Sequence, residues 1–297
     1  MIYSKTGSHN SDRNLHIFTY ATENYYVKAR VQGITAAIQN FKSFVLFGPN
    51  DLADVFKIKN SETLELTTGA GYWLWKPYFL QKKLNSHNSQ DFILYLDAGA
   101  LPYRNASFYQ QLCTDGKIHV WEIEGARISQ WTDRRARQEF NLLTRFEDAP
   151  MIWAGAILGR VSGIFHDFSQ LWLENCLNYE LLRPDSTVGY TKSDGLFWHR
   201  HDQSILSMII ATHPDWFTIH SSSRDRNSLD FAFDQHRSNR VKIFSLLYGT
   251  FPRLRALRRR IVRMLPKRVQ SRLRYMLFLR AKKRISKEEV NSIRSSF

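Results

Sequence analysis

A short apolar segment that ends in an acidic residue and a glycine constrains the fold of this chain more than any other feature. Phe92–Leu96 is a run of five apolar and aromatic residues, and Asp97, Ala98 and Gly99 follow it directly. Such a run, bounded by turn-forming residues, predicts a buried β-strand. Because open α/β sheets bring strand ends of this kind to a ligand crevice at their carboxyl edge, we expect Asp97 to lie at a binding site.

Strand-like and helix-like segments alternate along the chain. Buried strands are predicted at 16–20, 43–47, 92–96, 118–123, 151–158 and 216–219, and helices at 25–39, 73–84, 134–146, 164–179 and 203–211. This alternation predicts an α/β fold with a doubly wound, mixed but mostly parallel sheet flanked by helices. Pro77 fits its helix only within the first turn. We predict one catalytic domain over 1–240 and a basic, amphipathic helical tail over 241–297.

The positive charge of the chain is concentrated in that tail. The net charge is +15, but residues 1–250 hold 26 basic and 25 acidic residues, whereas residues 251–284 hold 14 basic residues and no acidic one. Apolar residues recur at helical spacing within 251–284, which is typical of helices on anionic membrane surfaces. The alternative is a solvated helix packed partly on the body. The near-neutral body speaks against a nucleic-acid-binding protein.

Cysteine content and hydropathy indicate the compartment. The two cysteines, Cys113 and Cys176, do not have metal-ligand spacing, and a disulfide scaffold is not expected. The sequence has neither a signal-peptide pattern at its start nor a run of about 20 apolar residues. We therefore expect a cytoplasmic protein, bound peripherally at the inner face of the cell membrane.

The acidic strand end indicates the chemistry of the site. Asp97 is a candidate ligand of Mn²⁺ or Mg²⁺, which would share that carboxylate with phosphate oxygens and water. A second acid two residues later would strengthen this prediction, but that position is Gly99, which would instead allow a ligand to approach the backbone. The alternative is that Asp97 caps the segment that follows it.

The segment His199-Arg-His-Asp-Gln203 precedes an apolar helix and contains the second acidic candidate. Asp202 is predicted to be catalytic, either as a general base toward an acceptor hydroxyl or by stabilising an oxocarbenium-like centre. His201 would complete a metal shell with Asp97, and His199 and Gln203 would contact the ligand. The alternative is that Asp202 is an ordinary N-cap and both histidines are surface groups.

Lys76 and its aromatic neighbours are candidates for binding a sugar nucleotide. Lys76 would meet a diphosphate at a helix start, where backbone N–H groups favour anions. Trp73 and Trp75 would cover the base or the sugar, although packing on a helix face explains any single ring equally well. Further candidate contacts lie at the end of the first strand, on the following helix and in a glycine-interrupted strand: Thr19, Tyr20, Ala21, Arg30 and Gly155. For Arg30 we prefer a structural ion pair.

Together these segments resemble a family of bacterial glycosyltransferases of the GT-A type associated with lipopolysaccharide and capsule assembly. The resemblance rests on segments 18–21, 71–78, 94–99, 131–132, 153–156 and 199–207. It implies a GT-A-like fold and transfer of a sugar from a nucleotide-sugar donor to a glycan or lipid-linked acceptor in surface polysaccharide assembly. It also implies a metal, with Asp97-Ala-Gly99 standing where other GT-A enzymes have Asp-x-Asp.

Two other classes of function are compatible with the sequence. A non-catalytic relative that binds a sugar nucleotide is permitted by the missing second acid at Gly99. A nucleic-acid-binding protein would use the Arg-rich tail, since phosphate backbones attract such clusters. Turnover of a donor separates the first class from an enzyme, and a salt-dependent gel shift tests the second.

Overall fold

The described part of the chain is built around a six-stranded sheet. The computed structural model describes residues 14–142, 148–183, 198–221 and 232–235, all within the first of the two units, 1–237 and 238–297, into which the chain divides. The sheet consists of β1 (Leu15–Tyr20), β2 (Ser43–Phe47), β3 (Phe92–Leu96), β5 (Ile118–Arg127), β6 (Pro150–Arg160) and β7 (Phe217–His220). The short strands β4 (Ala100–Pro102) and β8 (Phe233–Gln235) pair in a second sheet. The predicted tail over 241–297 lies outside the described residues.

The order of the strands brings their ends to a common edge. In the order β2-β1-β3-β6-β5-β7, only β6 runs antiparallel to its neighbours. The carboxyl ends of β1 and β3 therefore meet at one edge. The register of β6, in which Ala156 faces Leu96, brings its first half to the same edge. This arrangement confirms the predicted α/β class with a mixed, mostly parallel sheet flanked by helices.

Helices cover both faces of the sheet. They are α1 (Tyr26–Ile38), α2 (Asp54–Lys59), α3 (Ser61–Leu64), α4 (Gly69–Tyr72), α5 (Trp75–Leu84), α6 (Ala106–Leu112), α7 (Ile128–Trp131), α8 (Arg134–Glu139), α9 (Gly163–Leu177), α10 (Tyr179–Leu182) and α11 (Asp202–Thr212). One core layer joins the sheet to α5, α9 and α11 through Phe79, Trp172 and Ile205, whereas Tyr109 packs into a second layer on the strands. None of the helices in the described ranges has the length and apolar character needed to span a bilayer.

Several helix and strand bounds differ from the predicted ones. The helix predicted at 73–84 begins at Trp75, because Trp73 has a left-handed backbone with φ of 61°, so Pro77 falls within the first turn as expected. The helix predicted at 134–146 ends at Glu139, and Asn141, with φ of 55°, turns the chain away. β5 continues four residues beyond its predicted end. The other predicted bounds agree with the structure to within two residues.

Candidate active site

A buried lysine lies between two carboxylates at the carboxyl edge of the sheet. The Lys76 ammonium is 3.0 Å from Asp202 Oδ2 and 3.6 Å from Asp97 Oδ1. It also donates a hydrogen bond of 3.2 Å to the Ala154 carbonyl. The side chains of Lys76 and Asp202 are 5% and 3% exposed, whereas that of Asp97 is 35% exposed. A ligand arriving from solvent therefore reaches Asp97 first. We call Lys76, Asp97 and Asp202 the charged triad.

Three different elements position the charged triad. Asp97 directly follows β3, and its backbone N–H donates to the Gly155 carbonyl of β6 at 2.8 Å. Lys76 is the second residue of α5. Asp202 is the first residue of α11, where the Trp172 indole donates to its carbonyl at 3.1 Å. The site therefore depends on the packing of α5, α9 and α11 against one end of the sheet.

The turn after Asp97 is fixed by a buried amide on α1. Gln32 Nε2 donates to the carbonyls of Asp97 at 3.0 Å and Ala100 at 2.8 Å. The Ala100 N–H donates back to the Asp97 carbonyl at 2.9 Å, which closes a turn that includes the partly exposed Gly99. These bonds tie the backbone on both sides of Gly99, so the carboxylate of Asp97 is presented from a fixed turn.

Tyr95 is a site residue that the sequence analysis missed. Its hydroxyl donates a hydrogen bond to Asp97 Oδ1. Burial, together with the neighbouring Asp97 carboxylate, raises the pKa of Tyr95 well above its usual value, so the hydroxyl keeps its proton. A signal was present, because residues two apart on a strand point to the same side. Tyr95 and Lys76 thus both act on the same oxygen of Asp97, Oδ1.

Burial disfavours the charged forms of both Lys76 and Asp202, the two deeply buried members of the triad. It disfavours the charged form of Lys76, yet the carboxylates of Asp202 and Asp97 outweigh it and raise the pKa of the lysine. Burial raises the pKa of Asp202 to about 6, since one ammonium only partly compensates and Asp97 adds repulsion. Lys76 has two carboxylates beside it, which favour its charged form and raise its pKa. Asp202 has only one ammonium beside it, which does not offset its burial, so its pKa rises as well. The triad therefore carries at most one net negative charge.

The two histidines of the segment 199–203 are buried, so the alternative that they are surface groups is wrong. His201 Nδ1–H donates to the Leu182 carbonyl at 2.9 Å, and His199 Nδ1 accepts from the Asp133 N–H at 3.1 Å. Burial, with a contribution from His201, lowers the pKa of His199 to about 3, so its ring is neutral. Asp202 is not the N-cap either, because His201 holds that position and Asp202 already belongs to the helix.

Two segments with unusual backbone conformations pack against each other beside the triad. Residues 69–73 all have positive φ, between 50° and 91°, so α4 is a single left-handed turn. The second segment contains His201, whose φ is also positive, at 52°. The His201 ring lies 4.3 Å from that of Tyr72 and 6.0 Å from that of Trp73. A backbone with positive φ costs residues other than glycine roughly 1–2 kcal/mol each, so tertiary packing must stabilise these two segments.

The aromatic candidates divide into two groups. Trp73 and Trp75 both lie 5.8 Å from the Lys76 ammonium, as does Tyr95, and so form the wall around it. The Trp75 ring is buried and stacks on Tyr20 at 4.0 Å. The role of Trp75 in this structure is thus to pack between β1 and the triad, whereas the ring of Trp73 is only partly buried.

The remaining candidates occupy different surroundings. Thr19, Tyr20 and Ala21 at the end of β1 are all buried, and Ala21 packs in a small apolar cluster with Ala29 and Ala98. Arg30 is exposed on α1. The last two candidates, Gln203 and Gly155, lie next to members of the triad in the sequence or in the sheet. The Gln203 amide nitrogen has no hydrogen-bond partner within the described ranges, and a Cβ on Gly155 would lie 2.2 Å from the Trp153 ring. Ligand contacts by these residues remain predictions.

The described residues do not assemble the metal site that the resemblance implies. Mn²⁺ and Mg²⁺ favour oxygen ligands, commonly one or two carboxylates together with water and phosphate oxygens, and Gly99 supplies no second carboxylate. Asp97 Oδ1 is already engaged by Tyr95 and lies 3.6 Å from an ammonium. Across the ranges that the structure describes, no three His, Cys, Asp or Glu side chains come together as a metal site. His201 and Asp97 alone would make an incomplete shell.

Comparison with known proteins finds likeness in structure only. No protein-family model matches this sequence, and no curated protein matches it. One similar solved structure is the apo form of the bifunctional glycosyltransferase WbbM, with 12% identity and a TM-score of 0.42 over 70% of this chain and 39% of that one. A second is a glycosyltransferase involved in glycosylation of the PBCV-1 major capsid, with 11% identity and a TM-score of 0.40 over 70% of this chain and 82% of that one. A third is the galactosyltransferase LgtC with donor and acceptor sugar analogues, with 12% identity and a TM-score of 0.40 over 75% of this chain and 87% of that one. The chain thus spans 39% of the length of WbbM. At these identities and TM-scores, the reaction has to be argued from the residues of the chain itself.

Proposed function

We propose that this chain is a glycosyltransferase that moves a sugar from a nucleotide-sugar donor to an acceptor hydroxyl. The observation that carries the proposal is the partly exposed Asp97 carboxylate at the carboxyl edge of an α/β sheet. Tyr95 donates a hydrogen bond to this carboxylate and Lys76 forms an ion pair with it. Ligands of open α/β sheets bind at this edge. The sequence resemblance to GT-A enzymes, which includes the segments around Asp97 and Asp202, supports sugar transfer over other reactions at such an edge.

The charges around the site support distinct roles for its members. The Asp97 side chain is the most exposed of the charged triad, so Asp97 is assigned contact with the substrate, as a base or as a group that stabilises positive charge at the sugar. Asp202 is too deeply buried for direct contact in this arrangement. We assign it a positioning role through Lys76, in place of the direct catalytic role expected from sequence.

Positive charge lies near His201, on one side of the site. After burial, the charges of Arg183 and Arg200 contribute to the lowered pKa of His201, so both guanidinium groups act at this point. The Arg183 guanidinium lies 5.7 Å from the Tyr72 ring centre. A diphosphate between His201 and Asp97 would meet this positive potential, while Lys76 is occupied by the carboxylates.

Turnover of a donor panel tests the proposal. The purified full chain is incubated with nucleotide sugars of several bases and sugars, and release of the nucleotide is followed with and without candidate acceptors. We expect Asp97→Asn to lower turnover at least about a hundredfold, the range seen when a group that stabilises transition-state charge is removed. The matched control is Asp167→Asn, because Asp167 is exposed on α9. Equal turnover in the wild type and Asp97→Asn, or donor binding without any turnover, contradicts the proposal.

We further propose a glycan or lipid-linked acceptor of surface polysaccharide assembly, reached at an anionic membrane. The support is the run of 14 basic and no acidic residues over 251–284. Each basic residue near such a surface contributes about 1 kcal/mol. In the full chain, replacing Arg258, Arg259 and Arg260 by Gln is expected to weaken co-sedimentation with phosphatidylserine vesicles at least tenfold. Unchanged co-sedimentation contradicts membrane binding through this segment.

A further inference from the structure

The surroundings of the Lys76 ammonium are those of a bound cation. Oxygens of three residues lie around Nζ: Asp202 Oδ2 at 3.0 Å, the Ala154 carbonyl at 3.2 Å and Asp97 Oδ1 at 3.6 Å. An ammonium group has three N–H donors and no acceptor; one donor is used in the hydrogen bond to the Ala154 carbonyl, and both carboxylates lie within ion-pair distance of the charge. The rings of Trp73 and Trp75, each 5.8 Å away, add favourable cation–π surroundings.

A divalent cation would need the groups that the lysine already occupies. A carboxylate from a strand end and a second acid nearby are the protein groups that would bind such an ion most strongly. In this chain the second acid is Asp202, and Lys76 stands between it and Asp97. An ion at the Asp97 carboxylate would have the ammonium as a close neighbour and would find no acidic side chain at Gly99. Repulsion from Lys76 therefore disfavours a metal at the one carboxylate that a ligand reaches.

We propose that Lys76 is a built-in cation that takes the place of a divalent metal between Asp97 and Asp202. The ammonium fixes the two carboxylates in position from within the protein, and no divalent ion is needed at Asp97. Lys76 is a positioning residue in this account, since its ammonium lies within ion-pair distance of both carboxylates. Only the consequence for turnover rests on the proposed function, whereas the competition between lysine and metal rests on geometry alone.

Direct Mn²⁺ binding tests this inference without any substrate. Loss of the free Mn²⁺ signal in electron paramagnetic resonance is measured for the full-length wild type, Lys76→Met and Lys83→Met. Lys83 is the matched control, because it lies on the same helix and is also buried but contacts His87. We expect Lys76→Met to bind Mn²⁺ at least tenfold more tightly than the other two proteins. The added Asp97→Asn substitution should abolish this gain.

Two results overturn the inference. The first is a wild-type Mn²⁺ site that Asp97→Asn removes, and it can be measured even if Lys76→Met does not fold. The second is a folded Lys76→Met protein that binds Mn²⁺ no better than the Lys83→Met control.

Turnover separates this inference from the proposed function. With an active donor, wild-type turnover should change less than twofold when EDTA is added. A tenfold or larger loss that Mn²⁺ restores overturns the built-in cation but supports the glycosyltransferase. If no donor is turned over, the proposed function fails while the Mn²⁺ binding comparison still decides the role of Lys76.

Discussion

Replacement of Lys76 by Met should destabilise the protein in a strongly pH-dependent way. Met retains most of the apolar stem but leaves Asp202 buried without its cation. Removal of one partner from a buried ion pair typically costs about 3–5 kcal/mol. In the wild type, burial already raises the pKa of Asp202 to about 6. Compared with an ordinary value of about 3.9, that shift corresponds to about 3 kcal/mol of penalty for carrying the charge at neutral pH.

The direction of the pH dependence follows from this raised pKa. The folded protein binds the Asp202 proton more tightly than the unfolded chain, so this group favours folding at low pH. In the wild type its contribution is lost as the pH rises from about 4 to about 6. Without the ammonium, the pKa of Asp202 rises further and the window extends upward. We therefore expect a loss of about 3–5 kcal/mol at pH 8.0 and of only about 1–2 kcal/mol at pH 5.5.

Urea unfolding at the two pH values, followed by tryptophan fluorescence, measures this difference. All eight tryptophans lie between residues 73 and 216, so the signal reports the unit that contains the site. The control Lys83→Met removes a buried lysine of the same helix, which contacts a histidine and, among the described residues, no carboxylate, and it should show a much smaller difference between pH 5.5 and 8.0. The double variant Lys76→Met/Asp202→Asn removes the stranded charge and should regain most of the loss at pH 8.0. Equal losses at both pH values, without recovery in the double variant, refute the reasoning.

Three smaller perturbations test other contacts of the site. Gly155→Ala should lower the free energy of unfolding by about 1–3 kcal/mol, because the new Cβ would lie 2.2 Å from the Trp153 ring. Gly163→Ala, with nothing within 4 Å of its Cβ, is the control, and equal effects in urea unfolding would contradict the prediction. Ala70→Gly should raise the melting temperature, since φ of 51° costs alanine about 1 kcal/mol or more; a lower value would contradict this. Tyr95→Phe should lower donor turnover about tenfold or more by removing a hydrogen bond to a charged group, and wild-type turnover would argue against that role.

The strand-end carboxylate could be predicted because its signals are local. Five apolar residues followed by Asp97 and a glycine determine a buried strand and the turn after it. Parallel strands then bring their carboxyl ends to one edge, whatever the detailed packing. The same logic would have found Tyr95, since a hydroxyl two residues before the acid lies on the same side of the strand. A pattern of burial alone does not separate the one polar member of this strand, the Tyr95 hydroxyl, from its apolar neighbours.

The ion pair between Lys76 and Asp202 could not be predicted from local patterns. The two residues belong to α5 and α11, and only the packing of both helices at one end of the sheet brings them together. Lysine and aspartate at helix starts are ordinarily solvated, which is why the sequence predicts that Lys76 meets a phosphate and that Asp202 either acts on the substrate directly or caps its helix. Nothing in the adjacent sequence indicates that both side chains are buried.

The left-handed turn connects the unusual backbone of the site to its charges. Glycines at 69 and 71 signal a special turn, but three other residues share its conformation because tertiary contacts hold them. The Trp75 indole donates to the Gly69 carbonyl at 3.0 Å, and the His201 ring packs on Tyr72. Since α5 can begin only where this turn ends, the turn sets the position of Lys76 at the start of the helix. The strain is therefore retained where it orients the ammonium between two carboxylates.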